Sequence, residues 1–266
     1  MGDGLFGILF IGDIIGKPGR NVFYNVLPRL RERYSPDFII ANGENSAAGF
    51  GITPEVYKDL TGSGIDVITS GNHIWDKKEI LESMDSCERL LRPANYPESV
   101  PGRGCGVFSS SSGVKVGVIN LSGRVFMKES IDCPFKAAER MAAEIKKETP
   151  VIFIDFHAEA TSEKGALARH LDGRVSALVG THTHVQTSDE TVLSGGTAFI
   201  TDAGMTGPVD SVIGVDKELV IKKFLTGMPV KWEIASTESE LQGVFVKVDV
   251  KSGRAVSITR IKEKAA

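Results

Sequence analysis

Five times along this chain a largely apolar run of strand length ends in a short polar cluster, and that repetition constrains the fold more than any single residue does. The runs are Leu5 to Ile11, Phe38 to Ala41, Ile65 to Thr69, Val151 to Ile154 and Val175 to Val179. They deliver, in turn, Gly12-Asp13, Gly43-Glu44-Asn45, Gly71-Asn72-His73, Asp155-Phe156-His157 and Gly180-Thr181-His182-Thr183-His184. Runs with so little polar alternation read as strands buried on both faces, as in parallel sheets covered by helices. Sites in such folds form beyond the carboxyl ends of the strands, so the five clusters are expected to meet along one rim.

The last cluster is the sharpest. In an extended segment side chains at i and i+2 share a face, so His182 and His184 are expected to present both imidazoles to one small volume. A histidine pair alone serves structure as readily as metal binding. The four other clusters tip the balance toward a metal.

Between the runs, Val22, Phe23, Val26, Leu27 and Leu30 recur at helical spacing, with Gly16 to Arg20 read as a turn and Pro28 expected to bend or break the helix. A second helix is expected from Thr53 to Thr61, with Thr53 as N-cap and Pro54 in the first position. Helices are also read over 77–84, 136–147, 163–171 and 215–224. Hairpins are read at 106–120, 191–201 and 243–261, and a loop from Gly204 to Gly214. Parallel units dominate the first half and hairpins the second, which suits two packed mixed sheets flanked by helices, in one domain spanning 1–266.

Composition narrows the partners. With 41% apolar and 24% charged residues the chain reads as a soluble globular protein, and a formal net charge of −3 gives no broad basic field, so duplex nucleic acid is not an expected partner. No stretch approaches the roughly 20 apolar residues of a membrane helix, and Leu5 to Ile15 lacks the basic leader of a secretory signal. Cys87, Cys105 and Cys133 are odd in number and widely spaced, which fits free thiols in a reducing cytoplasm.

At the rim the candidate ligands are Asp13, Glu44, Asn45, Asn72, His157, His182 and His184, all oxygen or imidazole donors. Seven such side chains can hold two metal ions and leave positions for water and substrate, the open arrangement of a catalytic centre. Carboxylates can bridge two cations, which makes Glu44 or Asp13 the bridge. Iron, manganese and zinc all suit these donors. Two divalent ions offset by two carboxylates and one hydroxide leave about +1, enough to draw a phosphoryl anion into an acidic protein. A leaving alkoxide needs a proton, and His73, beside Asn72, is the candidate general acid. Asp155, Glu159 and Asp202 are read as supporting groups, while Phe50, Trp75 and the loop from Met205 to Ser211 are candidates for contacting a nucleoside.

Gly12-Asp13, Gly71-Asn72-His73 and Gly180-Thr181-His182-Thr183-His184 resemble the signature blocks of the calcineurin-like metallophosphoesterases. Ile15 stands where most of those enzymes have a second early histidine, and Gly43-Glu44-Asn45 replaces their usual Gly-Asp bridge. With 155–159, 182–187 and 201–208, these departures are similar to the YmdB-like family, across about 5–261. The resemblance implies a four-layer α/β/β/α sandwich and a dinuclear iron centre that hydrolyses 2′,3′-cyclic nucleotides at the 2′ ester bond. It implies Asp13, Glu44, Asn45 and His184 around one metal, Glu44 as bridge, and Asn72, His157 and His182 around the other. Asn45 or water takes the place of the missing histidine, His73 is the proton donor, and the chain is a homo-oligomer. A phosphomonoesterase, a 3′,5′-cyclic phosphodiesterase and a regulatory metal-binding protein stay open as alternatives, because one such centre serves many esters.

Overall fold

A computed structural model describes residues 4–265; Met1–Asp3 and Ala266, the ends of the domain expected over 1–266, lie outside the described residues. In chain order the elements begin with β1 (Leu5–Ile11), β2 (Asp13–Ile14), α1 (Gly16–Tyr34), β3 (Phe38–Asn42), α2 (Pro54–Gly62), β4 (Val67–Thr69) and α3 (Lys78–Ser83). They continue with β5 (Cys105–Ser109), β6 (Lys115–Ser122), α4 (Pro134–Ile145), β7 (Ile152–His157), α5 (Thr161–His170) and β8 (Ala177–Thr181). The last are β9 (Thr191–Val192), β10 (Ala198–Ile200), β11 (Met205–Pro208), α6 (Lys217–Thr226), β12 (Ser239–Asp249) and β13 (Ala255–Lys264).

The strands form two mixed sheets. One runs β2-β11-β12-β1-β3-β4 with β13 also paired to β12, and the other runs β5-β6-β7-β8-β10-β9. β1, β3 and β4 are parallel, as are β6, β7, β8 and β10, while β12 lies antiparallel to β1. The parallel strands are the continuous apolar runs, and the period of two divides each run between two cores. In β1, Leu9 and Ile11 pack with Val22, Phe23 and Leu30 of α1, while Phe6, Ile8 and Phe10 turn to the space between the sheets. In β7, Phe153 joins that central core, and Ile152, Ile154 and Phe156 pack with Ala138 and Ala142 of α4 and Leu167 of α5. Phe10 and Phe153 stack across the middle at 5.3 Å. Three cores thus separate four layers, the α/β/β/α sandwich expected from the sequence.

The structure corrects two expectations about elements. α1 begins at Gly16 and runs unbroken to Tyr34 through Pro28. Pro28 is exposed, so the helical carbonyl it leaves without a partner can turn to water, and the buried stripe on the opposite side holds the helix together. The segment expected to be a loop from Gly204 to Gly214 contains β11, which pairs with both β2 and β12. Its Thr-Gly-Pro sequence shows no strand pattern, and the pairing comes from neighbours remote along the chain. Elsewhere Thr53 caps α2 as expected, its side chain accepting from the Val56 amide. Cys87, Cys105 and Cys133 are free thiols. Among the described residues no helix is long and apolar enough to cross a membrane.

Candidate functional site

The five clusters do meet. Those following β1, β3 and β4 come from one sheet and those ending β7 and following β8 from the other, so the site lies where the carboxyl edges of both sheets adjoin. Gly71 makes the approach feasible. A Cβ there would lie 2.3 Å from Glu44 Oε2 and 2.4 Å from His157 Nε2, so any side chain would occupy the space in which the two sheets' ligand atoms meet.

Glu44 is central and buried. Its Oε1 lies 3.1 Å from His157 Nε2 and accepts from Asn45 Nδ2 at 3.1 Å, while its Oε2 accepts from the His73 amide at 3.1 Å. Burial works against its charge, but the adjoining His157 outweighs burial and holds the carboxyl at about 2. His157 shows the reciprocal effect: burial disfavours the imidazolium, and Glu44 and Asp13 overcome it, raising the ring to about 9. Burial and the nearby His157 charge push His182 down to about 3.

His157 is oriented from behind. Its Nδ1 lies 3.0 Å from Thr181 Oγ1, which donates to Asp155 Oδ1 at 2.7 Å. Thr181 therefore offers a lone pair to Nδ1–H, and Nε2 is the nitrogen turned to the centre. Asp155 is fully buried; desolvation outweighs its hydrogen bonds and raises it to about 7. It supports the site from beneath, as the sequence suggested.

The two imidazoles after β8 reach the site by a different route from the one expected. The strand ends at Thr181, and His182 and His184 both adopt left-handed backbone, with φ of +98° and +63°. They serve opposite halves of the site instead of sharing one strand face. His182 Nδ1 lies 2.9 Å from His157 Nε2, whereas His184 Nε2 lies 3.2 Å from Asn45 Nδ2 and 3.7 Å from Asp13 Oδ1. On their outer sides, His182 Nε2 faces Glu159 Oε2 at 3.1 Å and His184 Nδ1 faces the Ile213 carbonyl at 2.9 Å.

This arrangement fits a cation. Asp13 is fully buried and its Oδ1 has no hydrogen-bond partner; burial pushes its carboxyl upward despite the nearby histidines. A buried carboxylate oxygen needs a positive partner. Glu44, His157 and His182 each offer a ligand atom, all within 4.8 Å of one another. His157 Nε2 is also 3.0 Å from Asn72 Oδ1, so three atoms with lone pairs crowd a nitrogen that carries at most one proton. All seven candidate ligands are in this cluster. His73 stands at its edge, with Nδ1 2.8 Å from Asp76 Oδ2 and its ring 4.9 Å from Phe50.

Above the cluster opens a cleft of about 640 Å³, lined by the polar Glu44, Asn45, His73, His182 and His184 and by the apolar Phe50, Ile213, Trp232 and Ile234. Of the residues expected to contact a nucleoside, Phe50 lines the cleft. Trp75 packs edge-on against Tyr96 and beside the helix-side core, and the cleft is lined by 213–215 in place of 205–211. Trp75 sits in a turn whose apolar neighbours draw it inward, and Met205–Pro208 is held in the sheet as β11. Trp232, Lys223 and Lys128 also line the cleft and were not among the expected residues. They lie on segments distant from every cluster, and nothing in their local sequence distinguishes them.

A family model described as YmdB-like protein matches residues 9–261. A Bacillus subtilis (strain 168) protein named 2′,3′-cyclic-nucleotide 2′-phosphodiesterase is 51% identical over 254 residues, covering 96% of both chains. A hypothetical protein from Thermus thermophilus has a solved structure with a TM-score of 0.90 at 39% identity, covering 98% of this chain and 100% of its own. A structure described as a novel phosphatase from Mycoplasma pneumoniae has a TM-score of 0.91 at 35% identity, covering 98% of this chain and 94% of its own.

Proposed function

This chain belongs to the YmdB-like family, and from that premise we propose that it is a phosphodiesterase opening 2′,3′-cyclic nucleotides at the 2′ ester bond to release 3′-nucleotides. The observation that carries this reading is the convergence of Asp13, Glu44, Asn45, Asn72, His157, His182 and His184 beside a cleft lined by both polar and apolar residues. A cyclic nucleotide has an anionic end and a flat, weakly polar end. The donor cluster suits the first, and Phe50, Ile213, Trp232 and Ile234 suit the second. The name of the Bacillus subtilis relative supports the substrate class.

We assign Asp13, Asn45 and His184 to one metal ion and Asn72, His157 and His182 to a second, with Glu44 between them. The contacts support this division: His184 touches Asp13 and Asn45, His157 touches Asn72 and His182, and Glu44 Oε1 touches both Asn45 and His157. Ile15 lines the cleft where an early histidine would stand, and Asn45 takes that role. When bound, the metals would supply Lewis-acid activation of the phosphoryl group and of water; iron is the assigned metal, and manganese or zinc suits the same donors.

The remaining chemistry belongs to the side chains. Hydrolysis adds water across the bond between phosphorus and O2′, and the departing O2′ takes a proton from His73. Asp76 holds Nδ1 of that ring, which leaves Nε2 to deliver the proton. Lys128 and Lys223 put cationic groups on the cleft wall, where they favour an anionic substrate.

We read the chain as one domain, its sheets joined by the central core, and as a cytoplasmic protein with no membrane or duplex nucleic acid partner. We also read it as a homo-oligomer. Phe224 and Leu225 of α6 are 83% and 80% exposed, and Met228 is exposed beside them, an apolar surface that a second copy would cover. Light scattering should return a mass above that of one chain, and Phe224→Asp with Leu225→Asp should return a monomer. A monomeric parent protein would refute this part of the reading.

Metal analysis beside a substrate panel tests the function. About two ions per chain and 3′-nucleotide from 2′,3′-cyclic substrates are expected. A 2′-nucleotide product, or equal turnover of 3′,5′-cyclic nucleotides or monoesters, would overturn it.

A further inference from the structure

The loop carrying both site imidazoles is held from behind by a charge pair that the proposed reaction does not use. Left-handed backbone is disfavoured for residues with side chains and persists where the surroundings over-determine it. At His182 and His184 the surroundings act through the residue between them. Thr183 donates from both its amide and its Oγ1 to Asp202 Oδ2, at 3.1 Å and 2.8 Å. The same oxygen accepts from Lys164 Nζ at 2.8 Å, and Asp202 Oδ1 accepts from the Gly204 amide at 2.9 Å.

Lys164 and Asp202 are both fully buried. The lysine stem runs from α5 past the end of β8, where a Cβ at Gly180 would lie 2.9 Å from Lys164 Cδ. A buried ion pair is a poor stabiliser beside an apolar pair of the same volume. Its chemistry suits a different task. A carboxylate oxygen accepts both donors from Thr183 readily, but a buried carboxylate needs a positive partner, and Lys164 supplies it.

We propose that Asp202, its buried charge balanced by Lys164, is a positioning device for both imidazoles: through the oxygen that locks Thr183 it fixes the loop that aims His182 at one half of the site and His184 at the other. The inference rests on the reading that these histidines hold metal. Because Thr183 is their common neighbour, losing the device weakens both halves together, whereas losing one ligand weakens one half first.

Mn²⁺ affinity of the full chain, measured by chelator competition, tests this, with the thermal midpoint of the metal-free protein recorded alongside. Lys164→Met alone would strand a buried carboxylate, so the informative variants are double. Lys164→Met/Asp202→Asn removes both charges and the acceptor for the Gly204 amide but leaves an amide oxygen for Thr183, and should bind both ions close to wild-type affinity. Lys164→Met/Asp202→Leu removes that oxygen as well and should weaken both ions in parallel, by about 10–100-fold each. Wild-type affinity in the Leu variant, a loss confined to one ion, or an equal loss in the Asn variant would overturn the inference. Should the Leu variant not fold, Thr183→Val removes only the Oγ1 bond and should show the same parallel loss at smaller size; unchanged affinity there would overturn it too. A wild-type chain that takes up no Mn²⁺ would sink the metal reading itself, and this inference with it.

Discussion

Replacing His73 with alanine is expected to slow hydrolysis of 2′,3′-cyclic nucleotides about 10²- to 10⁴-fold while leaving fold and metal content in place. The backbone amide of residue 73 donates to Glu44 Oε2, and alanine keeps that amide, so the centre of the site retains its contact. What is lost is the imidazole that Asp76 holds at 2.8 Å and Phe50 flanks. An alkoxide leaving without a proton is a far poorer leaving group than an alcohol, and the deficit falls on the chemical step. A substrate with a 4-nitrophenolate leaving group needs no such proton and should lose much less. Comparing the two substrates on the wild-type and His73→Ala proteins, with metal analysis of each, is therefore decisive. Equal losses on both substrates would remove His73 from the role of proton donor.

The second large effect is expected from a single methyl group. Gly71→Ala would place a Cβ 2.3 Å from Glu44 Oε2 and from His157 Cδ2, and 2.4 Å from His157 Nε2. Real Cβ atoms do not come that close to such neighbours, so the carboxylate or the ring must move. Both side chains are buried, so a shift of either disturbs the contacts that hold the centre of the site. Overpacking of this kind typically costs about 1–3 kcal/mol of stability. A displacement of about 1 Å at a reacting centre costs about 10²-fold in rate. Gly62→Ala is the control, because it adds the same methyl at the end of α2 with nothing within 4 Å. Gly71→Ala should lower the melting temperature, metal content and turnover together, and Gly62→Ala should change none of them substantially. A Gly71→Ala protein that binds and turns over normally would mean that Glu44 and His157 are not held where the structure places them.

The route from sequence to site was short wherever local pattern carried the information. Unbroken apolar runs such as Leu9-Phe10-Ile11 identify strands, because a segment buried on both faces tolerates no polar side chain. The polar residues that end those runs identify the rim, because the chain must leave the sheet there. Thr53 before Pro54 identifies the start of α2, since capping is a matter of adjacent residues. Each of these inferences needs only neighbours along the chain.

The remaining features depend on partners remote along the chain. β11 forms because β2 and β12 accept its backbone, and nothing in Met-Thr-Gly-Pro demands a strand. α1 survives Pro28 because the stripe from Val22 to Leu30 is buried against sheet residues outside the helix. His182 and His184 reach the site by left-handed turns that Asp202 enforces through Thr183, whereas an extended strand would be the default for such a sequence. Ile213, Trp232 and Ile234 line the cleft from segments between β11 and β12 that carry no motif.

By itself, then, the sequence determined which oxygen and imidazole side chains are the candidate donors, and which runs of chain carry them to the edge of a sheet. Those properties follow from local composition and from the alternation of strand side chains. Only the tertiary structure decided how the seven donors divide into two halves around Glu44, which cleft wall faces them, and that a buried lysine braces the histidine loop. Those outcomes depend on distances between residues far apart along the chain, as between Asp13 and the His182 amide, 169 positions apart, and such distances are set by how the two sheets pack.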